Sequence, residues 1–532
     1  MDRASLFKSS STTGLLPAIE GHSRIPLSPC DEAIVLQYLR GTQEEMRTCE
    51  AEMMRLIEGI IELEKKRRGL QKSVDQYHSL LNPLHKIPTE ILSSIFMFCC
   101  EKNELSVRSK LPPVMALSTV CGRWRDIILS DPALWASLSI LTDHEHSVIS
   151  DAWLLPVIEL FMQRSKQSPI SLDLVLTDPL DSAISIFTLV AEHSIRWSDV
   201  KFKMPRAVFE HEATRVISGH IPMLKQIQLS DDYDFGESGP DVFAVAPALS
   251  SFDCHPLYCQ GIALPWEQLK VLTLRNAFPK HALSMLSRCS NLEQLNLYAV
   301  GGRYDEAEEL GEPLTLHGVQ SMTIVALGLD DCDTSFAFRL LTLPRLSSID
   351  LSPSERYAAW SSNDPDEVLL HIKAFLIRSR CNITSLRIQV PQLDDRQVIS
   401  ILLLLPTLET LYIHEPSASN WQSNKIVTPL FLQRFTDSPP DSSSGAPDLL
   451  LPQLLDITLV VYGEELDTDC LSEAIMSRLQ PASNTGIRSL RSISISIIGG
   501  DSNCLEKLSI MERRATAGCR VRILHTAGSG TV

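Results

Sequence analysis

The segment Leu405-Pro406-Thr407-Leu408-Glu409-Thr410-Leu411-Tyr412-Ile413 holds the pattern on which the fold turns. Its large apolar sites follow as apolar-x-x-apolar-x-apolar (Leu408, Leu411, Ile413), with a proline two residues before the first. Alternation over the last three positions suits a short strand with one buried face. Working outward, the same unit begins at Trp197, Leu224, Leu249, Leu269 and Leu292. It recurs at Val319, Leu346 and Ile383, and beyond Leu408 at Leu454 and Leu490. The pattern alone is weak evidence. With a hydrophobic fraction of 44 %, roughly 28 chance matches are expected over this stretch.

Spacing and proline strengthen it. Seven of the ten intervals between units fall in the range of roughly 20–29 residues that a leucine-rich repeat occupies. Pro222, Pro247, Pro344, Pro406 and Pro452 each stand two residues before a unit, where 31 prolines in 532 residues predict fewer than one. Proline there is expected to end a preceding helix and to open the strand, where a missing ladder donor is tolerated. Residues Glu367–Arg378 and Arg396–Leu405 read as two such helices. A helix, a proline and a short strand, repeated, resembles an irregular leucine-rich-repeat horseshoe, so the predicted fold over 141–532 is an α/β solenoid. Eleven parallel strands imply an arc of about 50 Å whose concave face would receive a target. The Asn or Cys that such repeats place five residues after the second apolar site is missing; Asp232, Ala277, Val300 and Pro416 are among the occupants. A degenerate solenoid without a buried asparagine ladder is therefore expected. Residues 437–448, rich in Ser, Pro and Asp, read as a flexible loop.

A chain of 532 residues is too long for one core, and its 21 % charged residues are ordinary for globular protein. The net charge is −17, yet the first 140 residues sum to zero, so the acidity lies in the body beyond them. An acidic body repels phosphate backbones, and no nucleic-acid partner is expected. The longest aliphatic run, Ile399–Leu405, is far below the ~20 residues that span a bilayer, and the start of the chain lacks a signal-peptide core. No membrane role is expected. Thirteen cysteines without C-x-x-C spacing build neither a zinc site nor a disulfide framework, which fits a cytoplasmic and/or nuclear setting.

Residues 1–32 mix Ser, Thr, Gly and Pro and read as a disordered tail. Residues 33–82 read as one long helix. With Leu39 at heptad position a, the a sites run Leu39, Met46, Met53, Ile60, Arg67, Val74 and Leu81. The d sites run Thr42, Cys49, Leu56, Leu63, Leu70 and Tyr77. This is a coiled-coil stripe ended by Asn82-Pro83, weakened by Gly41, Gly59, Gly69 and the charge of Arg67. It predicts either a homodimer through this helix or a helix packed on the following domain.

Residues 83–140 read as three short helices. Ile91, Leu92, Ile95 and Phe96 give one helical apolar face, and a polar stretch, Glu101–Lys110, breaks the pattern. A second run, Val114 to Ile128, ends at Asp131-Pro132. A unit this small cannot bury all its apolar residues internally, so part of that surface is expected to belong to another chain. Three motifs stand in it: Ile87-Pro88-Thr89-Glu90-Ile91-Leu92-Ser93-Ser94-Ile95-Phe96, Val120-Cys121-Gly122-Arg123-Trp124-Arg125 and Asp131-Pro132-Ala133-Leu134-Trp135. They resemble the F-box, the Skp1-docking module of SCF-type ubiquitin ligases, and most closely the F-box proteins of mushroom-forming fungi. Ile87 stands where that family has Leu, a near-isosteric exchange.

The resemblance implies an all-α F-box whose Skp1 contact falls on Pro88, Ile91, Leu92, Ile95, Phe96, Val120, Trp124, Leu134 and Trp135. It further implies a substrate-recognition adaptor in an SCF-type (Skp1–cullin–F-box) E3 ligase, with an unknown protein substrate held by the repeats. No enzymatic activity, cofactor or metal is expected. Asp234-Phe235-Gly236 lacks the other kinase motifs, and His144-Glu145-His146 is too closely spaced for a helical zinc pair. The alternative is a non-catalytic repeat scaffold in which the F-box-like helices are purely structural.

Overall fold

A computed structural model describes residues 29–526, apart from 82, 107–110, 143–150, 177–179, 231–240, 256–258, 260, 299–311, 327–335, 354–364, 390–392, 416–424, 437–449, 464–465, 482–485 and 500–519. The expected tail, the 437–448 loop and both declined motifs of the preceding section lie wholly or mostly outside them. The chain divides into two compact units, Met1–Ile91 and Leu92–Val532.

The first unit is dominated by helix α1 (Pro29–Leu81), 53 residues long. Its good helix formers outweigh three interior glycines, and Pro83 opens a separate short helical turn, Pro83–Lys86. Pairs such as Arg47–Glu44 and Arg68–Glu64, one turn apart, support the exposed faces.

The second unit is built on one parallel sheet of fifteen strands. Its first half is β1 (Asn103–Ser106), β2 (Ser137–Leu141), β3 (Ile170–Val175), β4 (Trp197–Lys203), β5 (Gln226–Leu229), β6 (Ser251–Cys254), β7 (Val271–Arg275) and β8 (Gln294–Tyr298). After the short β9 (Leu314–Thr315) come β10 (Ser321–Ala326), the short β11 (Leu341–Thr342), and β12 (Ser348–Pro353). The series closes with β13 (Ser385–Ile388), β14 (Thr410–His414), β15 (Asp456–Tyr462), β16 (Ser492–Ile498) and β17 (Arg520–Thr526). Strands β9 and β11 pair only with each other; all others lie beside their neighbours in sequence order. Sequential parallel pairing, with helices in many of the connections, makes this an α/β solenoid-like fold. At about 4.8 Å per strand the sheet extends roughly 67 Å.

All eleven repeat units coincide with strands, and they stand in register. Val200 pairs with Ile227, Ile227 with Phe252, and so on through Leu411 with Ile457 and Ile457 with Ile493. Two apolar rows therefore run across the sheet and are buried at nearly every strand, while the intervening row from Glu104 to Arg522 is polar on all fifteen strands. One face is core, the other faces water.

Three expectations are corrected. The sheet has four strands more than the eleven expected, β1, β2, β3 and β17. The segment 83–140 is not all-α: β1 and β2 lie inside it, and the polar stretch Glu101–Lys110 contains a strand whose Leu105 pairs with Ile140. The five prolines do not open strands. Each occupies the second position of a tight turn in which the first apolar residue donates back, as in Leu224 N–H to Ile221 O (3.3 Å) and Leu408 N–H to Leu405 O (3.2 Å). Proline's fixed φ preorganises that position.

In place of an asparagine ladder, arginines that are buried (Arg196, Arg478) or half-buried (Arg378) bridge one repeat to carbonyls and hydroxyls of the one before. Arg196 donates to Met162 O (3.2 Å) and Ser165 Oγ (3.0 Å). Arg378 donates to Phe338 O and Leu341 O, both at 2.7 Å. Arg478, almost fully buried, donates to Phe435 O (2.6 Å), Leu451 O (3.0 Å) and Leu450 O, and lies over the Phe435 ring. Gly318 allows another close crossing: a Cβ there would sit 2.5 Å from Leu292 O. Replacing Arg478 with Met should strand three buried carbonyls and cost roughly 3 kcal/mol or more. Chemical denaturation followed by circular dichroism measures this, with exposed Arg520→Met as the neutral control.

Candidate functional site

Helix α2 (Thr89–Cys99) begins just after Pro88, which cannot donate a backbone hydrogen bond, with Glu90 in the first turn where the helix dipole favours an anion. The division between the two units falls within it. In the first unit Pro88 is exposed, and Ile91 is 52 % exposed. In the second unit Leu92, Phe96 and Cys100 follow at i, i+4 and i+8 and are buried. Ile95 (43 %) and Phe98 (82 %) are turned to solvent. The 3.6-residue period thus separates two apolar faces of one helix.

Helices α3 (Pro113–Ser118) and α4 (Gly122–Ser130) follow, and the Arg125 side chain donates to Ser118 O at 3.1 Å, tying them together. Between them Val120 is 59 % exposed. Trp124 is half-buried, its ring 4.9 Å from that of Phe96. Asp131 caps the turn Pro132–Trp135 by accepting from Ala133 N–H (3.1 Å), and its other oxygen accepts from Ser93 Oγ (2.6 Å). Leu134 and Trp135 at its end are core residues. The Trp135 indole donates to Ile128 O (2.9 Å), packs edge-on against Phe161 at 5.1 Å and carries the Arg164 guanidinium 4.4 Å above its ring.

One polar side chain holds this assembly together. Asn103, fully buried, occupies a row in which the other fourteen strands carry apolar residues. Its amide nitrogen lies 3.0 Å from Leu134 O and Ser137 O and 3.3 Å from Cys100 O, and its oxygen accepts from Val114 N–H (3.1 Å). It joins the end of α2, the start of α3, the capped turn and β2.

The nine residues expected to touch Skp1 therefore separate into three groups. Leu92, Phe96, Leu134 and Trp135 are sealed inside this chain and support the surface without forming it. Trp124 is partly accessible. Pro88, Ile91, Ile95 and Val120 are exposed. The structure also exposes Met97, Leu111, Leu129 and above all Phe98, which sequence reasoning missed although Phe98 stands seven residues after Ile91. Exposed apolar groups this close together in the chain make the segment a candidate docking surface.

A second feature lies on the polar face of the sheet. A groove of about 510 Å³ runs over β2–β5, lined among others by Ser137, Ser139, Ser171, Asp173 and Lys201, with Lys102 just before β1. Lys102 Nζ is 2.9 Å from Asp173 Oδ2. Asp173 Oδ1 and the Ser139 hydroxyl are buried with no hydrogen-bond partner in the protein.

An F-box-like family model matches residues 84–141. No curated protein matches the chain. The matched segment contains α2, α3, α4, the capped turn and Asn103, but not Phe161 and Arg164, which pack on Trp135, nor the groove's later strands. Among the described residues no cluster of His, Cys, Asp and Glu could hold a metal, and no helix is long and apolar enough to cross a membrane.

Within the F-box-like segment the adjacent cysteines differ in reactivity. Cys99 is exposed, whereas burial, reinforced by the neighbouring Cys99, pushes the Cys100 thiol up to about 11. Iodoacetamide at pH 8 should therefore modify Cys99 in the folded protein and Cys100 only after denaturation, as read by fragment mass spectrometry.

Proposed function

We propose that this chain is the non-catalytic substrate-recognition adaptor of an SCF-type E3 ubiquitin ligase. The F-box-like segment would bind a Skp1-type adaptor, and through it a cullin, while a leucine-rich-repeat horseshoe holds the target. The carrying observation is that the F-box-like segment leaves Ile95, Phe98 and Val120 in water although the same segment owns a well-packed core. Exposing these side chains costs solubility, and covering them in a complex recovers that free energy at roughly 25 cal/mol per Å² of apolar area. The adaptor would act by proximity, raising the target's effective concentration at the transfer site. The groove over β2–β5 favours the polar face as target receptor. Its unpartnered carboxylate oxygen and hydroxyl suit hydrogen-bond donors, such as the N–H groups of an extended peptide.

A structural reading of the F-box-like helices also has an observation behind it: β1 and β2 belong to the same sheet as the repeats. The two readings part on surface substitutions. Leu92 and Trp124 make poor probes, because Leu92 is buried and Trp124 packs on Phe96, so either change would unfold the segment in both cases. Ile95→Asp combined with Val120→Asp alters exposed side chains only. The adaptor reading predicts that the native chain co-purifies with Skp1 and that the double variant loses Skp1 at least tenfold with an unchanged melting temperature. Retention of Skp1 by the double variant, or its absence from the native chain, would support the structural reading.

A further inference from the structure

Helix α1 carries the most extended unpartnered apolar stripe among the described residues. Seam residues Leu39, Met46, Met53, Leu56, Ile60, Leu63, Leu70, Val74, Tyr77 and Leu81 are all exposed, and Met54, Ile57 and Ile61 widen the stripe at mid-helix. A lone helix in water does not keep such a seam uncovered. Charge shows what covers it. Residues 39–59 hold five acidic against three basic side chains, a net −2, and residues 60–81 hold three acidic against five basic, a net +2. The helix is thus a charge dipole of opposite halves.

We infer that the seam is occupied by α1 of a second copy of this chain, running antiparallel. A parallel pair would lay like halves together and place Arg67 on Arg67 in a seam layer. Its flanking contacts from g to the following e position would be Glu45 with Glu50, Glu52 with Ile57, Gly59 with Glu64, Lys66 with Gln71 and Ser73 with His78, with no opposite-charge pair among them. In the antiparallel pair a sites face d sites, so Leu56 faces Ile60 of the second copy and the two-fold axis lies near Glu58 and Gly59. Arg67 then faces Cys49 of the second copy, beside Glu50 and Glu52. Glu52 and Lys66, both at position g, flank the seam and meet across it twice by symmetry. The same register brings Glu50 near Glu64, whose charge is shared with Arg68 of its own helix at 3.5 Å, as that of Glu52 is with Arg55 at 3.6 Å. The two chains leave the rod at opposite ends, with their Leu81 residues roughly 70 Å apart. This inference does not depend on the F-box-like segment.

The test uses the full chain, prepared as an equal mixture of ¹⁴N- and ¹⁵N-labelled protein. Light scattering should give twice the chain mass. A zero-length carbodiimide reaction should join Glu52 to Lys66 in mixed-isotope peptides, a link impossible within one helix, where the two residues are roughly 21 Å apart. Glu52→Lys should weaken the dimer roughly tenfold, and adding Lys66→Glu to that variant should restore it. A single-chain mass at micromolar concentration overturns the inference. So do mixed-isotope links joining Lys66 to Glu62 or Glu64, which only a parallel pair brings level, with none from Glu52.

Discussion

The buried side chain of Asn103 is the constraint on which the front of the solenoid depends. A carboxamide taken out of water costs several kcal/mol unless its groups are satisfied, and here they reach four backbone segments at once. That network fixes where α2 ends, where α3 starts and where β2 departs. The helices of the F-box-like segment are consequently not a separate bead joined to the repeats. They are the cap of the sheet: they cover its first strand, bury Leu105 and Trp135, and leave their outward aliphatic groups for something else. A terminal cap is what a repeat array needs, since its end unit has no neighbour to complete its core.

This arrangement reconciles two demands on the same fifty residues. Phe96 packs on Trp124, and Trp135 on Phe161, two ring contacts that fill the interior of this part of the chain. Ile95 and Phe98 on α2, and Val120 in the α3–α4 connection, then cannot relax inward to hide, because the interior positions are filled. Rigidity of the inner face makes the outer face available. Further along, inward-turned arginines do the work of an asparagine ladder, one at a time, each with different acceptors. That irregularity explains how repeats of such uneven length still share one sheet.

Much of this was legible in the sequence. The eleven apolar units from Trp197 to Leu490 all form strands, because a row of paired side chains across a parallel sheet imposes its pattern locally on each strand. The front of the sheet was not legible, for two reasons. Asn103 places a polar residue where every other strand is apolar, which hides β1. Trp135, Leu138 and Ile140 do fit the repeat unit, but they overlap the helical motif that ends at Trp135. Within the site, sequence identified α2 and could not sort its faces, since Ile91 and Leu92 are adjacent and equally apolar, and only the packing of Phe96 on Trp124 decides which side is in. The bridging arginines carry no local signal at all; their acceptors lie 27 to 43 residues away in sequence.

The central claim is that the outward groups of α2 and the α3–α4 connection exist to be covered by a Skp1-type protein. Side-chain footprinting with photogenerated carbene, on the full chain with and without Skp1, tests it most directly. The account predicts strong labelling of Ile95, Phe98 and Val120 in the free chain and its suppression on adding Skp1, with the polar face of β12–β16 unchanged. Equal labelling of these three residues in both samples would contradict it.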